Sequence, residues 1–578
     1  MTKRILLFLL VTGFTVTGVK ADQPDHRLTN AERAAMPDFL RNVSQNSTFG
    51  IVTPPTSPVR ASAEWEEIDA LIVVWTSYTN IVRQIINYAQ SETKVLVVCS
   101  DSTQVIANLS ANQVPINNVD FIQTGYNTIW CRDYGPWNVY TDNVDSLFLI
   151  DWIYNRPRAK DDTISRAIAT FKGLPLYETT TAPYDLVHTG GNFMCDGMGT
   201  GFSSRLVLNE NPTKSEQQID SIMYQFMGIN RYIKMNQLPY DGIGHIDMHM
   251  KLLDEETLLV GEYLPGVSDG PYIDSNITYV LNNFNSSFGT PYKVIRIPMP
   301  PDANNTYPNA GGDYRTYTNA VFVNKTIIVP TYDPQYDTTA LRIWQEAMPG
   351  YRIRGIDCNQ IIPSLGAIHC ITKEVSSNNL LRIVHQPLRD QAATLPDYQI
   401  NATIEHRSGI TGATLYYRTD TLLPYTAVNM SLSGASPNSW TAAIPGQPAG
   451  TTVYYYIRGT ATNGKSMNRP MPAPLGYWKF TVTGTTSLAE LPAVITAGTV
   501  YPNPSKGLTC IQLSSTSSSK IDVRLLNLMG QTVEDIYSGQ IDSGEKRIWF
   551  NTSNCAAGIY LVEVRNGNQV VRQKVVVR

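Results

Sequence analysis

Near Gln386 the texture of this 578-residue chain changes, and that change limits the possible folds more than any other feature. From Ala61 to about His385, apolar runs alternate with helical spacing. Ala70-Leu71-Ile72-Val73-Val74-Trp75 and Lys94-Val95-Leu96-Val97-Val98-Cys99 read as buried strands. Tyr78 to Ser91 and Thr338 to Ala347 read as helices by their apolar spacing. Beyond Gln386 the helical spacing disappears. Residues 398–404, 413–418, 452–458 and 477–482 read as short alternating strands between turn-rich segments. A chain this long exceeds one core, so several domains are expected, the first α/β and the rest all-β.

The strand-only stretch has the pattern of an immunoglobulin-like β-sandwich. The expected organisation is a signal peptide over 1–21, an N-terminal arm over 22–54 and an α/β domain over 55–385. The sandwich follows over 386–482, then a small polar linker over 483–491 and an all-β C-terminal domain over 492–578. The signal peptide reads from the basic Lys3-Arg4, the apolar run from Ile5 to Val11 and the small residues ending at Ala21. The arm reads as a wrapping segment or linker, Pro-rich around Thr53-Pro54-Pro55-Thr56-Ser57-Pro58. No later stretch is apolar enough to span a bilayer. A formal charge of -4 gives no reason to expect nucleic acid as a partner. Seven cysteines without CxxC spacing indicate neither a disulfide framework nor a zinc ribbon. Cys510 and Cys555 share the last module and could pair. An odd count leaves at least one thiol free, and catalysis is one use for it.

The chemistry concentrates in a few short segments. Gly366-Ala367-Ile368-His369-Cys370-Ile371 supplies a thiol beside a flexible glycine. Trp130-Cys131-Arg132-Asp133 places a carboxylate among large rings, suited to gripping a planar cation; an exposed Arg132–Asp133 turn is the plainer reading. Gly244-His245-Ile246-Asp247-Met248-His249, read as a strand, puts His245, Asp247 and His249 on one face. Those three could hold zinc or iron in a metal-dependent hydrolase, or serve acid–base work around a nucleophilic cysteine. Gly190-Gly191-Asn192 reads as a turn-rich loop lacking the phosphate-binding lysine. Asn319 precedes a strand, where its amide could orient a substrate.

Together these blocks, with Tyr134-Gly135-Pro136 and Tyr317-Thr318-Asn319, resemble the guanidine-modifying pentein superfamily. Within it they look like agmatine deiminases and bacterial peptidylarginine deiminases. The resemblance covers most of residues 55–385 and implies a fivefold pseudo-symmetric α/β propeller. Carried onto this chain, it makes Cys370 the nucleophile and His245 the proton shuttle. Asp133 and Asp247 become the guanidinium clamp, and Asn319 completes the catalytic set. No metal or cofactor is implied.

Ile153-Tyr154-Asn155-Arg156-Pro157-Arg158 resembles the substrate-carboxylate loop of the secreted peptidylarginine deiminases. Arg156 and Arg158 there, with Trp130, become substrate-binding residues, and a peptide with C-terminal arginine the expected substrate; agmatine is the alternative. The plainer reading leaves both arginines as solvated loop charges. Val500-Tyr501-Pro502-Asn503-Pro504 and Gly558-Ile559-Tyr560-Leu561-Val562 resemble the type IX secretion C-terminal sorting domain. That implies the type IX machinery as partner and a secreted or outer-membrane-surface location. A surface adhesin is the reading of another class.

Overall fold

The computed structural model describes residues 26–46, 49–434, 437–484, 495–567 and 569–578. The expected signal peptide lies outside the described residues, as does most of the expected linker.

Among the described residues, one unit recurs five times between residues 59 and 376. Two antiparallel strands come first, then a helix, then a strand parallel to the second. Met194–Cys195, Thr200–Ser204, helix Glu216–Met227 and Arg231–Met235 form one such unit. Met250–Leu252, Thr257–Glu262, helix Gly270–Asn283 and Lys293–Pro298 form the next. Val321–Val323, Thr326–Thr331, helix Pro334–Ala347 and Arg352–Asp357 form another. Trp137–Thr141, Leu147–Tyr154, helix Ile164–Lys172 and Leu176–Thr179 repeat the pattern. The fifth unit joins the two ends of the domain: Lys373–Ser376 pairs antiparallel with Ile68–Val74, which runs parallel to Lys94–Cys99 beyond helix Thr79–Ala89. A parallel pair needs a crossover long enough for a helix, which is why apolar strands and helical spacing alternate along this stretch. The central strand of this unit is fully buried from Ala70 onward: Leu71, Ile72, Val73 and Val74 are all inaccessible to solvent.

The expected strand over 244–253 does not form as one element. Gly244 takes a left-handed φ of 73°, Ile246–Met248 makes a 3-10 turn, and only Met250–Leu252 is a strand. His245, Asp247 and His249 therefore do not line one strand face.

The strand-only half forms two sandwiches. In the first, the sheet containing Asp397–Glu405 and Ser439–Pro445 encloses a common core with the sheet containing Ile410–Arg418, Thr452–Ala461 and Trp478–Thr483. Arg382–Val384 pairs with Asp397–Glu405, so this sheet begins before Gln386. In the second, Leu508–Ser515 and Gly544–Asn551 face Ser519–Leu526 and Gly558–Asn566 across Ile511, Leu513, Val523 and Val562. All seven cysteines are free thiols, so Cys510 and Cys555 are not paired.

The arm carries a helix that the sequence reading missed, Asn30–Asn46. Thr29 and Glu32 close its first turn: Thr29 N–H donates to Glu32 Oε2 at 2.9 Å, and Glu32 N–H to Thr29 Oγ1 at 3.1 Å. Its apolar stripe of Met36, Phe39, Leu40 and Val43 packs on Ile153 and Val187. No described helix is long and apolar enough to cross a membrane.

Candidate active site

The five-unit repeat explains how residues so far apart in sequence meet. Each unit is entered by a short segment just ahead of its first strand. Those segments are Cys131–Tyr134, Gly190–Asn192, Ile246–Met248, the residues around Asn319, and His369–Ile371. They carry Asp133, Gly191, Asp247, Asn319 and Cys370, with His245 one residue ahead of its segment. All six are buried or form the buried backbone of the site.

Cys370 Sγ lies 3.5 Å from Asp247 Oδ2 and 3.2 Å from Asn319 Nδ2. Asn319 Oδ1 accepts from the backbone N–H of Ala367 at 3.1 Å and of His369 at 3.0 Å. Its amide thus ties down the loop that presents the thiol. Gly366 packs against the same loop; a Cβ there would meet Trp130 Cζ3 at 2.6 Å and Cys370 Sγ at 3.2 Å.

Asp133 is 1% exposed and Arg132 fully buried, so the exposed-turn reading fails. Asp133 Oδ1 accepts from Gly191 N–H at 3.1 Å and stands 3.7 Å from His245 Nδ1. By sequence Gly191 is an ordinary loop residue, yet a Cβ there would meet His245 Nδ1 at 2.5 Å, Asp133 Oδ1 at 3.1 Å and Asp247 Oδ2 at 3.2 Å. Only glycine leaves that space open. Asp247 Oδ1 and His245 Nδ1 are buried and make no hydrogen bond among the described residues.

Beneath the carboxylates runs a buried charge network that sequence reasoning did not find. His369 Nδ1 pairs with Asp247 Oδ2 at 2.7 Å, and His369 Nε2 with Glu64 at 3.0 Å. Glu64 also pairs with Lys251, and Arg132 Nη2 meets Glu374 Oε2 at 2.8 Å. Burial disfavours ionised Glu64, but His369, Lys251 and Arg132 together hold it well below the usual carboxylate range.

The electrostatics of the centre follow. Burial opposes the charge on Asp133, but His245, His26 and Arg156 outweigh it and hold that carboxyl well below its ordinary range. Asp247 is lowered too, the hydrogen bond from His369 overcoming burial. Burial drops the His245 imidazole to about 4, with Asp133 pulling the other way. Burial and then the two carboxylates push the Cys370 thiol well above its ordinary range. The site therefore combines two anions, a neutral imidazole and a neutral thiol, and it calls for a cation.

A ring from the arm reaches this centre. His26 Nε2 bonds Asp133 Oδ2 at 2.6 Å, and His26 Nδ1 bonds the Leu365 carbonyl at 2.6 Å. Its ring stacks on Trp130 at 4.1 Å between centroids and 5° between planes. Arg156 Nε and Nη2 both donate to the His26 carbonyl, at 3.2 and 3.1 Å, and Arg158 Nε pairs with Glu32 Oε1 at 2.7 Å. At 5% and 4% exposure the two arginines are not solvated loop charges. The described residues compact enough to share an ion are His26, Asp133 and His245, not the His245–Asp247–His249 set weighed as a rival from sequence.

The family model described as "Porphyromonas-type peptidyl-arginine deiminase" matches residues 57–375, and "Secretion system C-terminal sorting domain" matches 499–578. A Shewanella baltica (strain OS223) protein named as an agmatine deiminase is 25% identical over 375 residues, covering 58% of this chain and 100% of its own. A Porphyromonas gingivalis structure described as an arginine deiminase superposes with a TM-score of 0.50 at 22% identity, covering 56% of this chain and 100% of that one. The agmatine deiminase of Enterococcus faecalis gives 0.50 at 20%, covering 57% and 100%. At those identities the likeness speaks for the fold alone, and it is the pentein deiminase fold. Because the first model spans more than half of its length, the chain belongs to the Porphyromonas-type peptidyl-arginine deiminase family, hydrolases of guanidino C–N bonds, and it ends in a type IX sorting domain that marks it for secretion and surface attachment.

Proposed function

We propose that this protein hydrolyses the guanidinium of arginine, preferentially at a peptide C-terminus, giving citrulline and ammonia. Arg156 carries the reading. Its buried guanidinium converges through two nitrogens on one oxygen, and that oxygen belongs to the residue whose flat ring fills the cation seat. A C-terminal arginine offers the same pair of features: a planar cation tethered to a carboxylate that an arginine fork can chelate.

In the proposed mechanism the substrate head sits on Trp130 between Asp133 and Asp247, where its charge lowers the energy of the Cys370 thiolate. Neutral His245 takes the thiol proton, and the sulfur adds to the guanidinium carbon. Protonated His245 passes that proton to a terminal nitrogen, the C–N bond breaks, and ammonia leaves a thiouronium on Cys370. His245 then takes a proton from water, hydroxide adds to the same carbon, and collapse breaks the C–S bond. The hydroxyl proton returns to sulfur as the ureido product departs, and His245 gives the proton it took from water to the released ammonia, which leaves as ammonium. Asn319 and His369 act by holding Cys370 and Asp247 in place.

An agmatine deiminase giving N-carbamoylputrescine is the second reading, favoured by the name of the Shewanella relative. Arg156 weighs against it, since a buried guanidinium repels the free ammonium of agmatine. The neighbouring acid, Glu210, bonds Asn155 at 2.6 Å and is pushed by burial up to about 7, which makes it a weak counter-charge at neutral pH.

The test compares kcat/KM for a C-terminal-arginine peptide and for agmatine in the wild type and in Arg156→Ala. The peptide-to-agmatine ratio should fall by about 10- to 100-fold, the worth of a charge-assisted fork. Equal losses on both substrates would overturn the fork assignment. A wild type that forms no ureido product from any guanidino compound would overturn the reaction itself.

A further inference from the structure

His26 cannot coexist with a guanidinium head, because its ring already occupies the stacking face of Trp130 and one oxygen of Asp133. The partners of its ring nitrogens are a carboxylate and a backbone carbonyl, the acceptors that the N–H groups of a guanidinium would also seek. We propose that residues 26–46 are an intramolecular inhibitor, with His26 standing in for the guanidinium and its carbonyl filling the Arg156 fork, and that turnover begins only when the arm leaves. This rests on reading the site as a guanidinium seat.

The arm is built for release rather than for permanent packing. One stripe of its helix touches the domain, while Arg33, Ala34, Asp38, Arg41 and Asn42 stay exposed. The ring is also an incomplete ligand. The ring has only two nitrogens, and one of them faces Leu365, leaving Asp247 Oδ1 unbonded; a guanidinium has five N–H donors and can serve both carboxylates. The arm prevails while attached, because tethering gives it a millimolar effective concentration that a dilute substrate cannot match. Cutting the tether removes that advantage. For a protein exported through a sorting domain, such a plug keeps a guanidine-cleaving site closed until the chain reaches its destination.

The experiment places a site-specific protease sequence between the arm helix and Gly50 of the full chain and compares cut and uncut protein. Access is read by alkylation of Cys370 with chloroacetamidine, followed by mass spectrometry; turnover is read as ureido product. Cutting should raise both rates by about tenfold or more, and His26→Ala should do so without cutting. An acetyl-capped peptide of residues 26–46 should restore inhibition of the cut protein, and the same peptide with His26→Ala should not. Uncut protein that labels and turns over as fast as cut protein overturns the inhibitor. Faster labelling after the cut, with no ureido product from either form, supports the inhibitor and overturns the deiminase reading.

Discussion

Arg132 and Arg156 are both buried guanidinium groups at one site, and they are satisfied by different parts of the chain. Arg132 pairs with Glu374 and lies within 3.9 Å of Glu64, all inside the five-unit domain. Arg156 donates to a carbonyl of the arm. The same division runs through the whole site. Its floor (Cys370, Asn319, His369, Asp247 and Glu64) is held by partners of the domain itself. Its mouth (Trp130, Arg156 and Arg158) is covered by His26 and Glu32 of the arm. Groups that must keep one geometry through catalysis draw on permanent neighbours. Groups that must change partners draw on a segment attached along a single stripe.

The sharpest break in this comparison is at the floor. Cys370→Ser keeps the shape of the loop and weakens the nucleophile. It should cost roughly four orders of magnitude in kcat while leaving the melting temperature unchanged. If most activity survived, the sulfur would not be the attacking atom. A second break at the floor is Glu64→Gln. It leaves Arg132 and Lys251 buried with less counter-charge, and removing one member of such a group costs about 3–5 kcal/mol. A denaturant midpoint matching the wild type would mean that the network adds nothing to the hold on the floor.

Sequence named residues of both the floor and the mouth, but neither the network beneath the one nor the arm across the other. Cys370, His245, Asp133 and Asp247 sit beside glycines and rings in short motifs, and the matched family gives the same fold. The network under them was not readable, because Glu64 and His369 are 305 positions apart and meet only through ring closure by Lys373–Ser376. The strand reading of 244–253 failed because alternation in sequence cannot reveal the left-handed Gly244 that turns the chain inward. The arm does carry a local signal: Thr29-x-x-Glu32, followed by Met36, Phe39, Leu40 and Val43 at helical spacing. The Pro-rich run after it dominates the composition and masks that helix as a linker. Nothing local marks His26 as a ligand of Asp133, since that contact exists only after both ends of the α/β domain have folded.

The mildest change tests the mouth. Glu32→Ala removes the carboxylate that pairs with Arg158, and it also opens the capping box at the start of the arm helix. The side chain is 19% exposed, so solvent screens the pair and its worth is about 1 kcal/mol or less. Equilibrium unfolding of the domain should not register the loss, because the arm contributes little to the core. Opening of the arm should register it, since a docked segment held by one stripe and a few polar contacts feels each of them. Cys370 labelling by chloroacetamidine in uncut protein should therefore rise by a few-fold, well short of the His26→Ala effect. The difference between those two variants separates the anchor that holds the arm from the ring that fills the seat. An equal rise in both would show that His26 is merely carried along by the helix, whereas no rise in Glu32→Ala would place the whole grip of the arm in the ring and the apolar stripe.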